Sequence, residues 1–213
     1  YSVLVSDAIG YSATDEVEAY VSLNPEATAS SNSPVCEGSD IIFSGTGNYF
    51  GEVINFCTYN CDLPSYCESG AIEIFGSNVE EVVFGDINNN TIEVCEGYSD
   101  FTNIKTKVSL NDSMNLHVVL NSCDFSMFFK AGKAFIDWNR DGDFEDINEL
   151  VGIFNFTENE GYYDTTVIVP ANAVLGNTLL RIVCRGDTDN LDSIQACGTF
   201  WEGETEDYTV EII

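Results

Sequence analysis

Residues 137 to 149 read Asp-Trp-Asn-Arg-Asp-Gly-Asp-Phe-Glu-Asp-Ile-Asn-Glu, with oxygen-bearing side chains at alternate positions around a glycine and a carboxylate at the end. Asp137, Asn139 and Asp141 stand at loop positions 1, 3 and 5, Gly142 permits the tight turn, and Asp143 follows it. Ca²⁺ takes roughly six to eight oxygen ligands in irregular geometry, so this spacing can wrap one ion. Position 12 is Asn148 and not glutamate, which leaves Glu149 or Asp146 as the distal ligand. The preceding Ala134-Phe135-Ile136 is short and apolar with no helical repeat, so the loop is expected to join strands as a structural ion site, not a sensor. Asp, Asn and Gly also make ordinary solvated turns. Crowded carboxylates repel one another, and that favours a cation.

A second acidic run, Glu202, Glu204 and Glu206 followed by Asp207, alternates with Gly203 and Thr205. On a strand its glutamates share one face. Glu204 and Glu206 are therefore expected to complete the shell around the 137 to 149 loop or to hold a second ion; a charged edge that deters strand pairing is the other reading. Asp100, in Gly-Tyr-Ser-Asp-Phe, is a further candidate ligand.

Signs of catalysis are missing. The chain has no G-x-S-x-G elbow, no H-E-x-x-H, no P-loop and no dinucleotide turn. Its one histidine, His117, stands in Leu-His-Val-Val and reads as a strand residue. With 36 acidic residues, some pair at glycosidase spacing is unavoidable and says nothing. Of the aromatic residues, Trp138 and Trp201 are the candidates for contact with a glycan.

The positioning elements must come from a chain of 213 residues with 44% hydrophobic content and a net charge of -29. Such a charge makes nucleic acid and anionic membrane poor partners, and divalent cations or high external salt would relieve its self-repulsion. Eight cysteines (Cys36, Cys57, Cys61, Cys67, Cys95, Cys123, Cys184, Cys197) with a single histidine suit disulfides better than zinc, whose paired C-x2-C spacing is missing. Sequence does not choose their connectivity. No apolar run approaches the roughly 20 residues of a membrane span. The chain starts at Tyr1 in a strand-like pattern, without methionine or a basic leader, and is expected to be a piece of a longer secreted protein.

Residues 1 to 24 read as a hairpin, with strands at 1 to 5 and 16 to 23 and a turn at Asp7 to Gly10. Residues 25 to 62 read as a linker and a partial β module. From residue 63 short β-branched and aromatic runs repeat between Gly, Asn and Asp: 71 to 75, 79 to 84, 105 to 110, 116 to 120, 126 to 129, 133 to 137, 150 to 154, 164 to 169, 178 to 184 and 207 to 213. No helix of convincing length interrupts them. The expected fold is all-β, an antiparallel β-sandwich of the jelly-roll or immunoglobulin-like kind, carrying the calcium loop.

Residues 1 to 24 resemble the closing hairpin of immunoglobulin-like or PKD-like adhesin repeats. Over residues 63 to 213, Leu63-Pro-Ser-Tyr66-Cys67, Gly97-Tyr-Ser-Asp-Phe-Thr102, Phe135-Ile-Asp-Trp-Asn-Arg-Asp-Gly-Asp-Phe144, Gly176-Asn-Thr-Leu-Leu-Arg-Ile182 and Gly203-Glu-Thr-Glu-Asp-Tyr-Thr-Val210 together resemble the GEVE domain of secreted Bacteroidetes proteins. Thr205 stands where that motif has valine. The resemblance implies a β-rich module without catalysis, borne by adhesins and hydrolases exported by type IX secretion. Sequons occur at Asn89, Asn111 and Asn155, and Ser113, Thr165 and Ser193 lie in Asp-Ser/Thr triplets similar to Bacteroidetes O-glycosylation sites.

These readings converge on a non-catalytic, calcium-stabilised extracellular module of a cell-surface or filamentous adhesin, partnered by other domains of the same chain, neighbouring subunits or surface glycans. The alternatives are a carbohydrate-binding or spacer module of a secreted hydrolase, and a polymerising subunit whose unpartnered N-terminal hairpin and exposed C-terminal strand, 208 to 213, serve strand addition between neighbours.

Overall fold

The computed structural model describes Ser2–Ser6, Ser12–Glu16, Ala29–Ser31, Phe43–Gly45 and residues 63–213 apart from 93 and 124–128. Contacts divide the chain into one unit of Tyr1–Ser33 with Asp40–Phe56 and another of Pro34–Ser39 with Cys57–Ile213. In the first, β1 (Ser2–Ser6) pairs antiparallel with β2 (Ser12–Glu16), and β3 (Ala29–Ser31) with β4 (Phe43–Gly45). β2 thus precedes the run at 16 to 23 expected to form that strand; all of that run but Glu16 lies outside the described residues.

The second unit contains β5 (Ser69–Glu73), β6 (Ser77–Phe84), β7 (Ile87–Asn90), β8 (Tyr98–Val108), β9 (Ser113–Ser122), β10 (Lys130–Ile136), β11 (Leu150–Thr157), β12 (Gly161–Ile168), β13 (Gly176–Arg185) and β14 (Gly198–Ile212). They form a six-stranded sheet, β11-β10-β13-β14-β5 with β8 also on β14, and a four-stranded sheet, β12-β9-β6-β7. Packed face to face, the two make a β-sandwich. Its core draws Val82, Phe84, Leu116 and Leu120 from the smaller sheet and Ile136, Leu180, Ile182, Tyr208 and Val210 from the larger. Burying one such side chain contributes about 1.5–3 kcal/mol, so this layer dominates stability.

A second cluster, including Ala131, Phe135, Leu179, Val183 and Phe200, lies on the outer face of the six-stranded sheet, capped by Phe144, Ile194 and the half-buried Leu63 and Tyr66. This explains the run Leu179-Leu-Arg-Ile-Val-Cys184, apolar but for Arg181: β13 is covered on both faces, so alternation disappears.

Two details depart from expectation. β14 runs parallel to β5 and β8, with β8 reaching from Thr205 to Ile212, so the larger sheet is mixed. The C-terminal strand is not an exposed edge: β13 pairs its other side from Gly176↔Ile212 to Arg185↔Gly203. The strand-addition reading loses its C-terminal element there. β7 was not legible, since Ile87-Asn-Asn-Asn carries one apolar residue. The strand expected at 126 to 129 falls largely outside the described residues.

Disulfides Cys67–Cys197 and Cys95–Cys123 close this unit. Cys184, counted among the bridging candidates, is instead a free and fully buried thiol: it faces the inter-sheet core from β13 among apolar neighbours, and burial pushes its pKa up. Cys36, Cys57 and Cys61 lie outside the described residues.

Candidate metal centre

The 137–149 loop leaves the end of β10 and returns at the start of β11, antiparallel neighbours in the larger sheet. Two buried carboxylates latch its ends. Asp137 Oδ1 accepts the Arg140 N–H at 2.6 Å, and its Oδ2 accepts the Gly142 N–H at 3.0 Å and the Tyr66 hydroxyl at 2.9 Å. Glu149 accepts the Trp138 N–H at 3.0 Å and the Asp146 N–H at 3.1 Å. Burial pushes both acids up in pKa, Glu149 to about 7, against the pull of these backbone donors. Phe144 anchors the middle: 7% exposed, it stacks on Tyr66 at 5.2 Å and lies under the Arg181 guanidinium at 5.3 Å.

The backbone meets this path with left-handed conformations at Arg140 (φ 59°), Gly142 (φ 92°) and Asn148 (φ 74°). At Gly142 a Cβ would come 2.7 Å from the Ser65 carbonyl oxygen, so glycine is needed for space as well as for φ.

Between the latches, Asp141, Asp143 and Asp146 gather on the exposed side with carboxylate oxygens all within 4.8 Å of one another. Two oxygens on one Ca²⁺ are at most about 5 Å apart, so this trio fits a hard divalent cation. Asn139 belongs to the same cluster: its amide nitrogen donates to Asp141 at 2.9 Å and Asp146 at 2.6 Å, and its oxygen accepts the Asp141 N–H.

The expected ligand set is therefore brought together only in part. Asn139, Asp141 and Asp143 meet, and Asp146, the alternative distal ligand, joins them where Glu149 was expected. Asp137 and Glu149 hold the loop's own backbone. Glu204 and Glu206 do not reach the loop. They point into the sandwich, where Glu204 accepts the Val79 N–H at 3.0 Å and the Ser99 hydroxyl at 2.8 Å, and Glu206 accepts the Tyr208 hydroxyl at 2.7 Å and that of Thr91 at 3.4 Å.

On β14 the Gly-Glu-Thr-Glu-Asp-Tyr run is thus a structural lock. Gly203 (φ 140°) passes so close to β13 that a Cβ would sit 2.0 Å from the Cys184 carbonyl oxygen. Thr205 meets Ser69 on the outer face, Tyr208 enters the core, and Asp207 takes a two-pronged ion pair from Arg181 at 2.7 and 2.8 Å with both side chains 3% exposed. Sequence reading missed that pair. The signal was a lone arginine in an otherwise apolar strand, which needs a buried counter-charge.

Trp138, a candidate glycan contact, is 3% exposed, with its ring in the inter-sheet core and its indole N–H on the Asn148 carbonyl, so it presents no face to a sugar. Trp201 is 58% exposed. Asp100 lies on β8, where it accepts both the amide and the hydroxyl of Thr102. Ser113 is exposed and Thr165 half-buried. The Ser193 hydroxyl is held between Asn190 and Thr188. His117 pairs with Asp164 at 3.1 Å on the smaller sheet.

The family model of the GEVED domain matches residues 132–211, from within β10 into β14, a shorter span than the resemblance over 63 to 213. No curated protein matches the sequence. Among solved structures, a Niemann-Pick type C2 protein from Japanese carpenter ant shares 8% identity at a TM-score of 0.39, covering 68% of this chain and 99% of that one. The CARDB domain of a Pyrococcus furiosus protein, solved in complex with di-metal ions, shares 10% identity at a TM-score of 0.35, covering 70% and 92%.

Proposed function

We propose, for a chain whose residues 132–211 match the family model of the GEVED domain, a non-catalytic role as a calcium-stabilised extracellular module of a cell-surface or filamentous adhesin exported by type IX secretion. The observation that carries the calcium reading is the exposed Asp141, Asp143 and Asp146 cluster on a loop already latched by Asp137 and Glu149. Three carboxylates this close repel one another in an ion-free loop, and a cation bound there links the loop's repulsion to its fold. Asp141, Asp143 and Asp146, with the Asn139 amide oxygen, would hold the ion. Bound, it supplies charge neutralisation and no reaction step. Disulfides support an oxidising compartment, and no helix among the described residues is long and apolar enough to cross a membrane.

Titration of metal-free protein with Ca²⁺, followed by calorimetry and thermal melting, tests the reading. One saturable site and a melting temperature that rises with calcium are expected, and D141N/D143N abolishes both. A melting temperature indifferent to calcium and EDTA would refute it.

A further inference from the structure

A cleft of about 640 Å³ opens on the outer face of the six-stranded sheet. It arises where β14 changes partner. β5 pairs with β14 as far as Glu202 and β8 begins at Thr205, and the Gly97 carbonyl between them accepts both the Ala71 and the Thr205 N–H. The segment before β5 runs along one side, fixed by the Cys67–Cys197 bridge.

The charges lining this cleft are unbalanced. Arg181, the one basic group among its described lining residues, is 2% exposed and directs its donors to Asp207 and to the carbonyls of Cys67 and Ala196. Two exposed carboxylates, Glu68 and Asp100, join the lining. The Tyr98 ring, 43% exposed, also lines the cleft, with its hydroxyl donated to Asp207 at 3.0 Å. Leu63, Pro64 and Leu179 supply apolar wall. Carboxylate acceptors, an aromatic face and apolar wall complement a cationic head on an apolar stem. The chain's net charge of -29 would steer such a group inward.

We propose that this cleft docks a lysine or arginine side chain from a basic segment of a partner protein: the stem lies along Pro64 and the Tyr98 ring, and the charged head meets Asp100 and Glu68. The site shares no carboxylate with the 137–149 loop, so its test stands apart from chelation.

A chain this acidic attracts any oligocation, so the experiment is charge-matched. Tri-lysine and tri-arginine peptides are titrated against the calcium-saturated chain by NMR at near-physiological salt, with cellohexaose as a neutral probe. E68Q/D100N is compared with E158Q/D164N, which removes the same charge from the surface elsewhere; unchanged melting temperatures confirm that both fold. The cleft variant is expected to weaken peptide binding by about tenfold, the scale of a charged contact at a partly desolvated site, and the control by less than about twofold. Equal weakening by both variants, no saturable peptide binding, or cellohexaose binding in the peptides' place would overturn the assignment.

Discussion

The Tyr66 hydroxyl donates to Asp137 Oδ2 at 2.9 Å and joins the segment before β5 to the first residue of the acidic loop, 71 positions away. The same oxygen accepts the Leu179 N–H at 3.3 Å, and the ring stacks on Phe144. One side chain thus ties together loop, leading segment and β13. Burial pushes its pKa upward, which keeps it a donor at any physiological pH. Y66F retains the stack but leaves a buried carboxylate short of one partner, at a cost of about 1–3 kcal/mol. Thermal melts with and without calcium should show a lower midpoint in both conditions and a smaller gain on adding calcium. An unchanged midpoint would mean that the bond contributes nothing.

Glu204 and Glu206 predict a pH dependence. Burial raises both, Glu204 to about 7 and Glu206 well above its ordinary value, with the charge of Glu204 raising Glu206 further. A carboxyl whose pKa is higher folded than unfolded contributes stability that is fully present below its unfolded value of about 4.5 and lost as pH rises through its folded value. Glu149 and Asp137 shift the same way, while Asp100 and Asp164 shift oppositely from exposed positions where solvent screens them. The melting temperature of calcium-saturated protein should therefore be higher near pH 5 than near pH 8, with on the order of 3 kcal/mol from Glu204. E204Q/E206Q keeps the hydrogen-bonding shape and should flatten the profile. A profile that stays steep assigns the dependence to other groups.

How much of this could be read beforehand differs residue by residue. The 137–149 loop was visible because turn chemistry is local: Asn139, Asp141 and Gly142 act through neighbours a few positions away. β13 was visible from its apolar run, and β14 only from residue 207 onward, because its first half, from Gly198, carries charges and glycine where a strand pattern would need apolar residues. The direction of Glu204 and Glu206 was not. Period-two alternation places them on one face and cannot say which, and aligned carboxylates are read as ion ligands or as a charged edge because burying them without a cation is costly. What offsets that cost is distant in sequence: Val79 N–H at a separation of 125 and Ser99 at 105. The cysteines show the same limit, since whether Cys184 meets another sulfur depends on register across two sheets. Trp138 was misplaced because its polar neighbours describe the loop around it and not the core beneath.

The thiols can be ranked. Cys67–Cys197 spans a sequence separation of 130 and Cys95–Cys123 one of 28. Chain-entropy loss in the unfolded state then gives about 5 kcal/mol for the first and about 3.5 for the second. C67A/C197A should lower the denaturation midpoint more than C95A/C123A does. Cys184, fully buried, should resist alkylation in native protein and react only once denaturant opens the sandwich. Rapid native labelling of Cys184 would show that the inter-sheet core opens at that point.

The last prediction concerns the glycine that opens the 203 to 208 run on β14. Gly203 holds φ at 140°, where an L side chain is strained, and its Cα hydrogen faces the Cys184 carbonyl, where an added Cβ would stand at 2.0 Å. No far end of a flexible side chain can give way there: the obstacle is backbone on β13, and β13 is pinned between β10 and β14. G203A must therefore part β13 from β14 just where Glu204 turns inward, breaking ladder hydrogen bonds and withdrawing Glu204 from Val79 and Ser99 together. Strain of about 1–3 kcal/mol for the backbone adds to the loss of buried carboxylate partners, a sum comparable to the whole stability of a domain this size. Soluble yield and the urea midpoint should both collapse in G203A, whereas T205V, which substitutes a same-sized side chain two positions on and removes only the hydroxyl contact to Ser69 at 2.9 Å, should fold with a shift of about 1 kcal/mol. A well-folded G203A would show that the close approach to Cys184 can relax, and Gly203 would then need another explanation.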